Sequence, residues 1–397
     1  MALLGILAFV AALLLSVMIH EAGHFLTARK FGMKVTEFFL GFGKRIWSTQ
    51  RGETEFGIKA IPAGGYCRIS GMTAHEELPD ADSHRAFYKA SAPKRLIVLG
   101  AGSFLHFVLG YVLIFIIFFG IGTAALTPQV DQVAQCISTS ASNSACLPSD
   151  PPSPAKLAGV KAGDVFVAID GKEIGEWSQD IQVVRNSPGI PHVFTILRNG
   201  EKLNLTITSE SHQVNGKEVG IIGVFNKVGM VRQPLPVAIS RTGNLTNELF
   251  TSSISSLISL PSKIPALIRQ TFTGEKRDAQ GLVGVIGVAE ASAQTASAQG
   301  LGWNERAATF LLIIASLNIF VGIFNLLPLL PLDGGHMAIA AIDGLRNTWA
   351  RIRRKPLPRG IDIEALTPLT MVVFIFLAGL SILLLIADII NPVSFNL

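Results

Sequence analysis

Four runs without a single charged side chain, residues 1–19, 96–130, 307–332 and 365–387, constrain this 397-residue chain more than any other feature. A hydrocarbon core of about 30 Å is crossed by roughly 20 helical residues, so each run is long enough for one crossing. Only 15% of the residues are charged, and the mean hydropathy of +0.46 agrees with large parts lying in lipid. The expected fold is an α-helical polytopic membrane protein with four transmembrane helices. The first run lacks a positive leading segment and flows directly into a motif rich in chemistry. It is therefore read as a retained membrane helix, not a cleaved signal peptide.

Basic residues in the loops orient the chain. Loop 29–95 holds 12 Lys and Arg against 7 acids, loop 337–368 holds 6 against 3, and segment 120–306 is balanced at 15 and 15. The two basic loops are expected inside, which places the middle segment and both termini outside. The net charge of +5 then reads as a topology signal, and no nucleic-acid partner is expected. Three carboxylates remain outside these loops: Glu21, Asp333 and Asp388. Ionisable groups at membrane depth are costly and default to function. Asp388, at the end of the last run, is read more simply as interfacial.

His20 and His24 stand four apart on one helix face, about 6 Å along the axis. That spacing lets both imidazoles reach one Zn2+ at about 2.0 Å. Glu21 follows the first histidine and is placed to take a proton from a metal-activated water. A catalytic zinc takes three protein ligands and keeps one position open. Asp333 is the candidate third ligand, because it is the other carboxylate deep in an apolar context. A helix cap at the interface is the alternative reading for it. Pro328 and Pro331 stop a helix, Gly334 and Gly335 permit unusual backbone, and irregular backbone at this depth lines watery cavities.

Between the first two runs, residues 46–70 hold short β-like segments such as Phe56–Ile61, broken by Gly52, Pro62, Gly64 and Gly65, which predict a small sheet near the membrane face. Residues 155–210 read as a compact soluble module, with strands near 165–169, 192–198 and 202–208 and a helix near 177–186. Residues 137–154 are Ser/Pro-rich and read as an exposed loop. Cys136 and Cys146, ten apart, suit either a local disulfide or two free thiols, and Cys67 is given a structural role.

His20-Glu21-Ala22-Gly23-His24, Asn325-Leu326-Leu327-Pro328 and Leu332-Asp333-Gly334-Gly335-His336 together resemble the site-2 protease family of intramembrane zinc metalloproteases. Gly41-Phe42-Gly43, Trp47 and Pro62–Tyr66 look like that family's membrane-associated β-element, and residues 158–171 look like the start of its single PDZ domain. The resemblance implies four parts: 1–128 with the first two spans, the zinc motif and the β-loop; 129–227 as an extracytoplasmic PDZ domain with an inserted loop 137–154; 228–306 as an amphipathic region; and 307–397 with the last two spans. It implies zinc on His20, His24 and Asp333, Glu21 as base, and Asn325 holding substrate, plain helix–helix bonding being equally compatible with Asn325. It also implies a bacterial cytoplasmic membrane location, the site facing the cytoplasm. The implied activity is regulated intramembrane proteolysis of single-pass transmembrane proteins, such as an anti-sigma factor after a first cut, and of remnant signal peptides.

Where the family carries Gly-Pro-x-x-Asn in its second span, this chain has Gly102-Ser103-Phe104-Leu105-His106. His106 is read as an active-site neighbour in place of that Asn, with an adventitious metal neighbour or a packed helix residue as the alternatives. Substrate is expected to add as a strand to an edge over residues 53–62, through Gly57, Ile58, Lys59 and Ala60, unless that pattern is only a structural plug. The outer module suits either capture of a new C-terminus or exclusion of bulky substrates. A peptide-binding scaffold and a metal transporter are the competing functions. Nothing in the sequence sets an oligomeric state.

Overall fold

The structure is a computed structural model, and it describes residues 1–72, 76, 78–137, 146–147, 150–214, 216–277, 281–358, 360–361 and 364–393. In chain order, helix α1 (Ala2–Lys30) is followed by strands β1 (Val35–Arg51) and β2 (Thr54–Ile69), and by α2 (Ala92–Phe115), which runs on as a π-turn over Ile116–Ile121. Then come β3 (Thr123–Val133), α3 (Pro154–Leu157), β4 (Val165–Ile169), β5 (Lys172–Glu173), α4 (Trp177–Asp180), α5 (Gln182–Arg185), β6 (Pro191–Arg198), β7 (Glu201–Thr208), β8 (Glu210–Val214), β9 (Lys217–Ile221) and β10 (Val224–Val231). Helices α6 (Leu235–Thr273), α7 (Val285–Ser297), α8 (Trp303–Asn325), α9 (Asp333–Ile352) and α10 (Thr367–Ile390) complete the chain. Two compact units result, one from Met1–Gly120 with Gln233–Leu397, the other from Ile121–Arg232.

In the first unit, four helices are long and apolar enough to cross a bilayer: Ala2–Lys30, Ala92–Ile121, Trp303–Asn325 and Thr367–Ile390. They coincide with the four uncharged runs, as expected of a polytopic membrane protein. Helix α1 packs on α2 and α7, and α2 packs on α8 and α9. Small residues set the approach, since lipid offers helices no hydrophobic drive to associate. A Cβ on Gly23 would lie 2.6 Å from the Ala101 carbonyl oxygen, and one on Gly110 would lie 2.9 Å from Ile319.

Helix α10 differs from the others: none of its most apolar 18-residue window is buried. Its C-terminal end is fastened instead. Arg277 and Asp388, both fully buried, pair at 2.9 Å, and the Asp388 carboxylate also accepts from the Gly287 N–H at 2.8 Å at the start of α7. Asp388, near the end of α10, is thus a buried partner of Arg277. Removing one partner of such a buried pair costs about 3–5 kcal/mol, because the other is left uncompensated.

The β1–β2 hairpin is long enough to fold over on itself. Residues 56–58 of β2 lie opposite Trp47–Thr49 on one flank and opposite Phe38–Leu40 on the other. Phe38–Leu40 in turn lie opposite Gly65–Cys67. The edge expected over residues 53–62 is therefore not an edge at Phe56, Gly57 and Ile58, whose backbones are flanked on both sides. Gly57 is held by packing, since a Cβ there would lie 2.6 Å from the Phe39 ring. Lys59 is held too, donating to the Tyr66 hydroxyl at 2.6 Å while its ammonium sits 4.8 Å from the Phe39 and Tyr66 ring centres. Of the expected peptide-presenting residues, Ile58 and Ala60 keep exposed side chains. Among the described residues, the flanks with no strand partner on their outer side are Trp47–Arg51 and Gly65–Arg68.

The second unit is an antiparallel sheet in the order β10-β3-β4-β6-β7, with β5 beside β4 and a separate β8–β9 hairpin. It begins earlier than residue 129, because β3 starts at Thr123 and pairs along its length with β10. The expected helix near 177–186 is split into α4 and α5. Strand β6 buries His192, Phe194 and Ile196, every second residue, against Phe166, Trp177, Val184 and Ile207. The Phe166 and Trp177 rings stack at 4.9 Å. Cys136 and Cys146 form a disulfide with their Cα atoms 5.9 Å apart, closing a loop whose residues 138–145 lie outside the described set.

Candidate active site

Helix α1 carries His20, Glu21 and His24 in its last three turns, and both histidines are buried. Asp333 opens α9, after a turn from Leu326 to Leu332 that contains Pro328 and Pro331. The Asp333 carboxylate reaches His20 Nε2 at 3.1 Å and His24 Nε2 at 3.3 Å, and the two Nε2 atoms are 3.1 Å apart. Gly334 and Gly335 make this possible in a way the sequence reading mistook. They lie in ordinary helical backbone, and their role is close approach: a Cβ on Gly335 would lie 2.6 Å from the Leu330 nitrogen. The turn is thereby pressed against the first turn of α9.

The three donor atoms form a triangle of the size a metal requires. Tetrahedral ligands about 2.0–2.1 Å from zinc are separated from each other by about 3.3–3.4 Å. The observed edges of 3.1, 3.1 and 3.3 Å agree with this, and the set is two imidazoles with one carboxylate. His24 is also pre-set as a ligand. Its Nδ1–H donates to the Val98 carbonyl at 2.8 Å, leaving the Nε2 lone pair for a metal. The His20 Nδ1 is buried without a hydrogen-bond partner among the described residues. Glu21 stands outside the triangle, within electrostatic reach of His24, His20 and Asp333, with the Cys67 backbone amide near its carboxylate.

Two further residues shape the site. Gly102 of α2 faces both imidazoles: a Cβ there would lie 2.5 Å from His20 Cε1 and 2.6 Å from His24 Nε2. His106, one turn on, is buried with its ring centre 4.9 Å from that of His20. Its Nδ1 meets Asn318 Oδ1 at 2.7 Å, while Asn318 Nδ2 donates to the Ile314 carbonyl at 2.8 Å and to Ser16 Oγ at 3.1 Å. The Ile314 carbonyl can only accept, so the amide nitrogen must face it and Oδ1 must face His106. The His106 proton is therefore on Nδ1, and Nε2 is the acceptor left to the site. Asn318 and Ser16 were missed from sequence. A polar side chain two turns before Asn325 and one a turn before His20, both in uncharged runs, were the available signals.

Asn325 is half-buried at the last residue of α8, and its side chain makes no hydrogen bond among the described residues. The free thiol of Cys67, beside Glu21, is pushed up to about 12 by burial and by the Glu21 charge, so it is no nucleophile at neutral pH.

The family model of peptidase family M50 matches residues 8–380. The chain is 37% identical to the zinc metalloprotease Rip1 of Mycobacterium tuberculosis and 34% identical to that of Mycolicibacterium smegmatis, over 98% of both chains in each case. It is 26% identical to the regulator of sigma-E protease RseP of Salmonella typhimurium, over 85% of this chain and 90% of that one. The scaffold and transporter readings fall with these matches. The chain belongs to peptidase family M50, the site-2 proteases, and is a multi-pass membrane zinc metalloendopeptidase.

Proposed function

We propose that His20, His24 and Asp333 hold the zinc and Glu21 is the general base, in an enzyme that cuts transmembrane segments of single-pass proteins. The observation that carries this is the donor triangle with a second carboxylate, Glu21, beside it. What zinc supplies is Lewis acidity towards a water and towards the scissile carbonyl. Glu21 takes the proton from the attacking water and delivers it to the leaving amine, with the Cys67 amide near its carboxylate. His24 is kept in its ligating tautomer by Val98, and His106 offers Nε2 as an acceptor near His20.

A transmembrane helix must be unwound before it can be cut, and an extended segment can be held by adding to a sheet edge. The edge we assign to this is Gly65–Arg68, which adjoins the site through Cys67, in place of the central run at 56–58. Asn325 and the exposed Ile58 and Ala60 remain candidates for contacts further along the substrate. The basic loops 29–95 and 337–368 support a site facing the cytoplasm, with the Ile121–Arg232 unit, read as a PDZ domain, outside the cytoplasmic membrane. Anti-sigma factors already cut once, and remnant signal peptides, are the substrates that fit this topology.

The test is purified protein with a single-pass model substrate, wild type against Glu21→Gln, with zinc content measured on both. Glu21→Gln is expected to keep its zinc and lose cleavage by about 10²–10⁴-fold, the usual worth of a general base. Equal cleavage by the two forms would sink the assignment.

A further inference from the structure

Helix α9 has a second face that the active site does not use. Its buried side, Ile339, Ala340, Asp343 and Ala350, packs inward, with Asp343 pairing Arg95 at 3.5 Å and accepting from the Ile361 N–H at 3.1 Å. On another face Ile342, Leu345, Trp349 and Ile352 recur at steps of three, four and three, and are 47%, 72%, 58% and 72% exposed. These steps put all four in one stripe. The helix ends in four exposed cations, Arg351, Arg353, Arg354 and Lys355, none of which pairs with an acid among the described residues.

The end of the helix is built to keep those cations together. The Lys355 N–H bonds the Ala350 carbonyl at 2.8 Å and the Arg354 N–H bonds the Arg351 carbonyl at 3.1 Å, which is a Schellman stop. Arg354 takes the left-handed position at φ 53°, where glycine is usual. Arg353 turns back so that its guanidinium lies 4.2 Å from the Trp349 ring centre. An indole is thus capped by a cation at the edge of an apolar stripe, with the three other cations at the same helix end.

We propose that the outer face of α9 is an interfacial anchor that binds the phosphate headgroups of anionic lipids. The connection from α8 to α10 leaves the bilayer and re-enters it on one face, because α8 ends at Asn325 and α10 starts at Thr367. In this reading α9 lies along that leaflet, its apolar stripe meeting acyl chains while Arg351, Arg353, Arg354 and Lys355 meet phosphates. A basic, apolar-striped helix with a tryptophan at its border suits that position, and charge complementarity selects anionic over zwitterionic headgroups. The helix that begins at Asp333 would then have its other end held at a fixed depth. The inference rests on the membrane location alone, not on the assignment of the zinc ligands.

The experiment uses the full chain in nanodiscs containing either brominated phosphatidylglycerol or brominated phosphatidylcholine at equal mole fraction. The Trp349 signal is obtained as wild type minus Trp349→Phe, an exposed position whose exchange leaves the core untouched. In wild type, brominated phosphatidylglycerol is expected to quench this signal at least about threefold more than brominated phosphatidylcholine, and the preference is expected to vanish in 0.5 M salt. Changing Arg351, Arg353, Arg354 and Lys355 to Gln should remove the preference while leaving quenching by phosphatidylcholine in place. Equal quenching by both lipids in wild type would mean apolar contact without headgroup binding. No quenching would place the helix away from the bilayer, as for a surface that docks a protein. A preference that survives the Gln changes would overturn the assignment of these cations.

Discussion

Gly102 has no side chain, yet it stands 2.5–2.7 Å, measured from a would-be Cβ, from three ring atoms of His20 and His24. Gly102→Ala should therefore push the imidazoles apart and weaken zinc binding by about 10–100-fold, the usual cost of disturbing groups that orient ligands. Chelator competition at equilibrium checks this, and unchanged affinity would mean the rings can give way freely. His106 and Asn318 make a separate case. Because Asn318 dictates which His106 nitrogen carries the proton, Asn318→Leu should lower kcat about tenfold with little change in KM. His106→Asn, which brings in the residue the family carries, should keep kcat within about threefold. An Asn318→Leu enzyme with normal kcat would reduce the pair to helix packing.

At the level of elements, the hairpin β1–β2 does what neither of its strands does alone. By folding over, it puts 56–58 in the middle of a small sheet and leaves Gly65–Arg68 as a flank whose Cys67 amide turns towards Glu21. Proline is tolerated on an edge but removes the N–H, so Cys67→Pro isolates that one donor. Cleavage is expected to fall by more than about tenfold at unchanged zinc content, from loss of the edge N–H that lies near Glu21. Normal turnover in the Cys67→Pro enzyme would reject the edge. The β-character of residues 46–70 was legible in their residue types. Which run lies in the middle was not, since both runs offer similar alternation and only their pairing separates them.

For the whole molecule, the Ile121–Arg232 unit has its own acid sensitivity. The His192 imidazole and the Val193 N–H hold the Asp170 carboxyl below its ordinary value. Burial alone would raise Asp164, but Arg198 and the Lys161 N–H outweigh it and lower that carboxyl too. Both folded values lie below the unfolded one of about 3.9, so this stabilisation is complete well above pH 4. It erodes as pH falls below about 4 and is gone beneath the depressed folded values. Hydrogen exchange of β4 and β6 amides in the intact protein should accelerate, after correction for intrinsic rates, below about pH 4 and stay level from pH 5 to 7. Asp164→Asn should flatten part of that dependence, and an unaltered profile would assign the acid response elsewhere.

The sequence by itself determined what short-range chemistry and lipid demand. Uncharged runs long enough for a bilayer became the four long helices, and two histidines one turn apart had to share a helix face. Asp333 was legible for the same reason, as a carboxylate stranded in an apolar context. Tertiary structure decided everything that depends on which surfaces meet. It brought Asp333 to His20 and His24 across more than 300 residues, set Gly102, Asn318 and Ser16 around the site, and put 56–58, the centre of the edge expected over 53–62, inside the small sheet. It also turned Asp388 from a residue at a helix end into half of a buried ion pair with Arg277. The physical reason is common to all of these. A lone polar or small residue in a chain specifies only that it needs a partner or a close neighbour, and packing alone selects which one it receives.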